Sequence, residues 1–386
     1  MTDLERWIVD QGLRGGSVAS LFTGFAEHIT AEGIPLARAY LALPTVNPTI
    51  RVVNHTWTRQ IGAVAEGVSH DREVHAFEES PFGHMLRSGR THFHWHLNEP
   101  GGEWFGVFDE VRRAGGKDYL ARLIRFENAS APDLRGIATS FSTYRDEGFL
   151  ASEVARIDAV LPLLALAAYR MTLLDLTVAM LDTYVGLSTG RRVLSGEIRR
   201  GSGTTLTAAL LFADLRGFTA VTDAAGTHVM ARLNRHLEAM AEPVVEQGGE
   251  VMKFLGDGLL AVFPITEEQP KEAACAAAIR AAREALARNK HVNRSFHDET
   301  PLGLDIALHT GEVFYGNIGA ANRLDFTVIG PAVNEVSRME ALCSELDCPV
   351  VLSSAVAAVS PVPVCSLGHH RLRGVPGERE LFTFPA

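Results

Sequence analysis

The stretch Glu250-Val251-Met252-Lys253-Phe254-Leu255-Gly256-Asp257-Gly258-Leu259-Leu260-Ala261-Val262-Phe263 leaves this chain few ways to fold around it. Two apolar runs of strand length flank Gly-Asp-Gly, which predicts a β-hairpin with Asp257 at its tip. A second fixed point is Leu210-Leu211-Phe212-Ala213-Asp214-Leu215-Arg216-Gly217-Phe218-Thr219, a short apolar run that ends in one carboxylate and then a glycine turn. Such a run reads as a strand buried on both faces. Asp214 then lies at the strand's C-terminal end, before backbone that can expose several N–H groups. That position suits a metal beside a phosphate. It equally suits an Asp that caps the next helix.

The neighbouring segments complete a pattern. A strand is predicted over 208–213 and an amphipathic helix over 228–247, through Met230, Leu233, Leu237, Met240 and Val244, stopped by Gly248-Gly249. An alanine-rich helix follows over 272–288, then strands over 304–308, 312–315 and 325–329, a helix over 333–343 and a strand over 350–352. This order predicts an α/β sandwich with helices on a mostly antiparallel sheet, and the whole chain is read as α+β.

Three regions are expected: 1–148, a connector over 149–205, and 206–386. In the first, strands are predicted over 38–43 and 120–126, and a helix over 17–32, where Val18, Leu21, Phe25 and Ile29 recur at helical spacing. Residues 140–144 suit a last strand that turns into an exit helix. The layout is similar to a GAF/PAS-type sensory domain whose ligand the sequence does not name. Seven of the whole chain's 15 histidines fall between His55 and His96. On a strand, His92, His94 and His96 share one face, and three imidazoles on one face can bind zinc, copper or nickel. The alternative is a half-exposed strand with Phe93 and Trp95 packed inward. No carboxylate lies at short range in sequence to favour a metal.

From Leu150 the positions Val154, Ile157, Leu161, Leu164, Ala168, Met171, Asp175, Val178, Asp182 and Val185 continue a heptad-like stripe. It is read as a parallel dimerisation helix, the alternative being a single helix packed on its own domain's sheet. Two Arg pairs and three glycines over 191–203 mark a hinge.

The net charge of −10 argues against a nucleic-acid surface. The four cysteines, Cys275, Cys343, Cys348 and Cys365, match no zinc or redox spacing. No secretory signal opens the sequence. The most apolar segment, 159–169, contains Pro162 and ends at Arg170, short of the ~20 residues of a membrane span. A cytoplasmic protein without a span is the expectation.

Lys253 in an otherwise apolar strand is either an exposed edge residue or a donor held for a ligand. Asn334 and Arg338, spaced i, i+4, share a helix face. Two carboxylates, a lysine donor and an Asn/Arg pair make an inventory for phosphoryl transfer. Four ordered blocks carry a resemblance: Phe212–Thr219, Lys253–Gly258, His309–Gly319 and Phe326–Glu340. Together they resemble the class III nucleotidyl cyclases, which make 3′,5′-cyclic nucleotides from ATP or GTP.

The resemblance implies a ferredoxin-like core and two divalent cations, Mg2+ or Mn2+, at Asp214, Leu215 and Asp257. It implies phosphate contacts from the amides of Arg216, Gly217, Phe218 and Thr219, a ribose-orienting Asn334, and Arg338 offsetting charge at the α-phosphorus. Arg373 lies near the family's triphosphate-contacting basic residue, with Arg371 as rival. Lys253 with Thr327 suits adenine, whose N1 accepts and whose 6-amino group donates. ATP is therefore expected over GTP, with Thr327 resembling a subgroup in which some members respond to bicarbonate. Pro331 and Glu335 depart from the family pattern, and Glu335 bears on whether the dimer face is intact. The family builds each site from two protomers, so a homodimer with shared sites is implied. The alternatives are a guanylate cyclase or a degenerate nucleotide-binding regulator.

Overall fold

The computed structural model describes residues 1–45, 50–69, 77–98, 104–126, 136–197, 199–218, 221–222, 229–297, 299–320 and 322–384, without the side chains of 185 and 187–189. The chain divides into two compact units, Met1–Met180 and Leu181–Ala386.

The first unit opens with α1 (Asp3–Arg14), whose Thr2 and Glu5 form a capping box, and α2 (Val18–Ala31). Six antiparallel strands follow, β1 (Leu36–Pro44), β2 (Ile50–Thr58), β3 (Gly62–Ser69), β4 (His92–His96), β5 (Asp118–Arg125) and β6 (Gly136–Thr143), in the order β3-β2-β1-β6-β5-β4. Short helices α3 (Pro81–Ser88) and α4 (Gly106–Arg113) flank β4 in sequence. The expected helix and strands of this region are all present.

The long helix α5 runs from Ala151 to Val185 and keeps Pro162 inside it. Ile157, Leu161, Leu164, Ala168 and Met171 are buried in one core with Phe22, Phe25, Leu41 and Phe141 of the same unit. This corrects the heptad reading: the first half of the stripe packs on its own domain, and the apolar periodicity there reports that packing. Past Met171 the helix is more open, with Leu173, Leu174 and Asp175 exposed. The apolar segment is also longer than its sequence suggested. Ala151–Tyr184 is long and apolar enough to cross a membrane by length and composition, although 44% of its most apolar window is buried inside the fold.

In the second unit a short helix α6 (Leu187–Leu194) precedes β7 (Gly203–Arg216). Among the described residues between them, Glu197, Gly201 and Ser202 hydrogen-bond to Asn317. The Arg192 guanidinium lies 4.9 Å from the Tyr315 ring centre, and the Asn317 amide donates to the Glu197 carbonyl at 2.6 Å. Helix α7 (Met230–Glu246), the hairpin β8 (Glu250–Leu255) and β9 (Gly258–Pro264), and α8 (Lys271–Ser295) come next. Then β10 (Gly303–Ala320) runs unbroken where two strands were expected, because it pairs with β7 along 303–316 and with β11 (Arg323–Ile329) along 314–320. Helix α9 (Pro331–Glu345), β12 (Val350–Ser353), and the hairpin β13 (Cys365–Arg371) and β14 (Glu378–Thr383) complete the unit.

The sheet order is β13-β14-β12-β10-β7-β9-β8, with β11 added to β10. Alternation along β7 sends Ala209, Leu211, Ala213 and Leu215 into the core shared with α7 and α8. Ala208 and Leu210 face the other core, with Val336, Met339 and Cys343 of α9. This alternation puts Asp214 on the α9 side of the sheet.

Candidate active site

Asp214 stands near the end of β7, opposite Asp305 of β10. The β7–β9 register places Ala213 opposite Leu259, so the β8–β9 tip meets the end of β7. Gly258 is what permits the meeting: a Cβ there would stand 2.5 Å from Asp214 Oδ1 and 2.4 Å from the Ala213 carbonyl oxygen. Asp257, one residue earlier, is half-buried beside Asp214. Burial, then Asp257, then Asp305 push the Asp214 carboxyl up to about 6. From α9, Glu340 reaches the same cluster; burial first, then Asp214, Asp305 and Asp257, push it up to about 7.

Sequence reasoning missed Asp305 and Glu340. A carboxylate inside the apolar run Leu304-Asp305-Ile306 was the available signal for the first. Asp305 is 3% exposed and is held by Arg216, whose Nε and Nη2 donate to it at 2.9 and 2.5 Å, and by the Ser344 hydroxyl at 3.1 Å. Arg216 also donates to Asp347 at 3.1 Å, so its side chain is committed within the chain. Leu215 is 2% exposed with its side chain in the core, so it offers a cation only its carbonyl. Gly217 has φ +84° with open space where a Cβ would stand, and Phe218 is buried beneath the turn. Thr219 lies outside the described residues.

A second group lies on β8, β11 and α9. Lys253 is ion-paired with Asp325, and both are solvent-exposed. Thr327 is two residues further along β11, half-buried and on the same face as Asp325. The strand alternates, with Phe326 and Val328 buried on the opposite face. Asn334 is exposed in the first turn of α9, and Arg338 follows one turn later. Glu335 does not face outward: it accepts from Arg379 Nε of β14 at 3.0 Å within its own chain. The β13–β14 turn brings Gly374 to Arg338, where a Cβ on the glycine would be 3.6 Å from the guanidinium. Arg373 is exposed in that turn, whereas Arg371 is paired with Glu378 at 3.3 Å.

The donor set at Asp214 and Asp257 fits a divalent cation of the hard, oxygen-preferring kind. Two neighbouring carboxylates, Asp214 with a proton affinity raised first by burial and then by Asp257, are stabilised by a cation between them.

Residues 202–381 match the family model described as the adenylate and guanylate cyclase catalytic domain. An adenylate cyclase of Anabaena cylindrica is 32% identical over 164 residues, covering 42% of this chain and 32% of that protein. Adenylate cyclase 2 of Rhizobium meliloti (strain 1021) is 28% identical over 233 residues, covering 57% of this chain and 61% of that protein. The crystal structure of the adenylyl cyclase CyaB from P. aeruginosa aligns with a TM-score of 0.44 at 23% identity, over 47% of this chain and 94% of that one. The matches span between a quarter and about a third of the first curated relatives, at 32% and 25% of their lengths. The cyclase match contains every candidate residue from Asp214 to Arg373.

Proposed function

We propose that this chain is a divalent-metal-dependent adenylate cyclase of the class III type, converting ATP to 3′,5′-cyclic AMP and pyrophosphate at sites shared between two copies of itself. The observation that carries the reading is the meeting of Asp214 and Asp257 across Gly258, inside the stretch that matches the cyclase catalytic domain. Asp214, Asp257 and the Leu215 carbonyl would hold two divalent cations, Mg2+ or Mn2+. Bound there, these ions supply Lewis acidity toward the ribose 3′-OH and the phosphate oxygens.

The chain's own groups do the rest. The Lys253 amine donates to adenine N1, and the Thr327 hydroxyl accepts from the 6-amino group. The exposed Lys253–Asp325 pair is worth at most about 1 kcal/mol, so the amine exchanges readily from carboxylate to base. Asn334 orients the ribose. Arg338 offers its fork to the charge that develops on the α-phosphoryl oxygens. The amides from Arg216 to Thr219 receive the phosphates, and Arg373 at the β13–β14 turn reaches the triphosphate from beside Arg338.

Helix geometry supports sharing between protomers. Glu340 faces the Asp214 of its own chain, and Arg338 lies about 200° around the same helix, at 100° per residue. The Arg338 face therefore points away from its own carboxylates. Phe254 and Leu255 of β8 and Leu324 and Ile329 of β11 are exposed around Lys253 and Thr327, an apolar surface of the kind a second copy covers. The protein is read as cytoplasmic, with residues 1–148 sensing a signal that α5 passes on and a bicarbonate response as an added expectation from Thr327.

One observation favours a second reading. Asp325, beside Lys253, has the acceptor character that reads guanine N1–H and its 2-amino group. Incubating the full chain separately with ATP and GTP, with Mn2+ or Mg2+, and identifying the products decides between them. Cyclic AMP from ATP is expected, with Asp257→Asn lowering the rate at least about a hundredfold. Faster cyclic GMP formation from GTP would establish the second reading. Nucleotide binding with no turnover of either would mark a degenerate regulator.

A further inference from the structure

Among the described residues outside the cyclase-like unit, one cluster of ligating side chains is left without a role. Strand β4 is the edge of the first sheet, and its alternation leaves His92, His94 and His96 outward while Phe93 and Trp95 stack inward, 4.8 Å between ring centres. The register β4–β5 sets His96 directly opposite Asp118, which supplies the carboxylate that the linear sequence lacks. His92 stays outside the cluster, against Thr91 at 3.3 Å.

Asp118 is fully buried, and among the described residues its ion pairs are both to imidazoles. Its Oδ2 accepts from His94 Nε2 at 2.6 Å and from the Phe149 amide at 2.8 Å. Its Oδ1 lies 3.1 Å from His96 Nδ1 but out of hydrogen-bond alignment, and has no hydrogen-bond partner. A buried carboxylate oxygen left in this state is costly unless a cation completes it. The glycine at 148, with φ +75°, keeps the space open: a Cβ there would stand 2.5 Å from Asp118 Oδ2 and 3.2 Å from His96 Nδ1.

We propose that His94, His96 and Asp118 form a site for a borderline divalent transition metal of the Zn2+ type, separate from the carboxylate centre of the second unit. The three donor atoms lie within 4.8 Å of one another. Two ligands on a common zinc, each at ~2.1 Å, are at most ~4.2 Å apart, so small side-chain rotations close the set. Two imidazole nitrogens and one carboxylate oxygen leave a fourth position for water, and the imidazole side chains, 31% and 46% exposed, give the ion a way in. Imidazole ligation selects this metal class over Mg2+ and Ca2+, which prefer all-oxygen sites. The site has a consequence for the chain that follows. The oxygen that accepts from the Phe149 amide belongs to the carboxylate the ion would bind, two residues ahead of α5. Loading the site therefore acts on the start of the long helix.

The test uses the full chain in excess Mg2+, which occupies oxygen-only sites, and measures retained Zn2+ by equilibrium dialysis. About one zinc per chain is expected. His94→Ala/His96→Ala is expected to lose that equivalent while keeping a cooperative thermal unfolding transition, both residues being exposed. Co2+ in place of Zn2+ is expected to give visible ligand-field bands that the double variant lacks. Absence of retained zinc in the unaltered chain, or equal retention by the double variant, would overturn the proposal.

Discussion

Burial and two neighbouring carboxylates hold Asp214 at about 6, so without a cation it is a reluctant anion. Lys253, which the shared-site account supplies from the other copy, has the opposite problem: it is exposed and already neutralised by Asp325. This bears on changing base preference. Lys253→Glu places a carboxylate against Asp325, and like charges at such range repel. We expect Lys253→Glu alone to lose ATP turnover by tenfold or more without gaining GTP turnover. Lys253→Glu combined with Asp325→Asn should recover activity toward GTP. Parallel rates for the four nucleotide–variant combinations check this, and equal GTP turnover by both variants would contradict a role for Asp325. The residues missed from sequence, Asp305 and Glu340, share a cause. Each is a carboxylate inside an element whose apolar pattern already explained it, and only strand register and helix docking show that both face Asp214.

Helix α5 carries the same lesson at the scale of an element. A repeat of four and three residues describes any helix with one apolar stripe, whether the stripe meets a second copy or the helix's own domain. Leu161 and Leu164 are buried within the first unit, whereas Leu174, ten residues after Leu164, is half exposed. Leu164→Ala should cost about 2–5 kcal/mol of stability by leaving a cavity. Leu174→Ala should stay within about 0.5 kcal/mol in the monomer. Denaturant unfolding of the two variants reads the difference, and an effect at Leu164 as small as that at the off-stripe Leu174 would restore the reading of that part of the stripe as a dimer seam. The strands and helices of the second unit were legible because hairpin chemistry and glycine stops bound them. The exceptions are instructive. Strand β10 looked like two strands because His309-Thr310-Gly311 resembles a break, yet β7 pairs through it. The hairpin β13–β14 was missed because its β13 residues are mostly exposed and carry little alternation.

For the whole molecule, the acidic cluster links metal, pH and stability. Both Asp214 and Glu340 have raised pKa values in the folded chain, about 6 and about 7. Their protonated forms are favoured by folding, so the stability they contribute is full below their ordinary pKa values and is lost as pH rises through 6 to 7. A bound cation replaces the lost protons. The metal-free chain should therefore become less stable between pH 5 and pH 8, and the rise in Tm on adding Mg2+ should be larger at pH 8 than at pH 5.5. Calorimetry with and without chelator reads this, and a larger rise at pH 5.5 would contradict it.

The central claim is that the carboxylates of one chain work with the Asn334 and Arg338 of another. Asp214→Ala and Asn334→Ala, each inactive alone, are mixed under conditions that exchange subunits, and cyclic AMP formation is measured. A mixed dimer holds one intact site, so about a quarter of the unaltered activity is expected at equal mixing, half the dimers being mixed and each having one of two sites. No recovery with subunit exchange demonstrated would contradict the shared site.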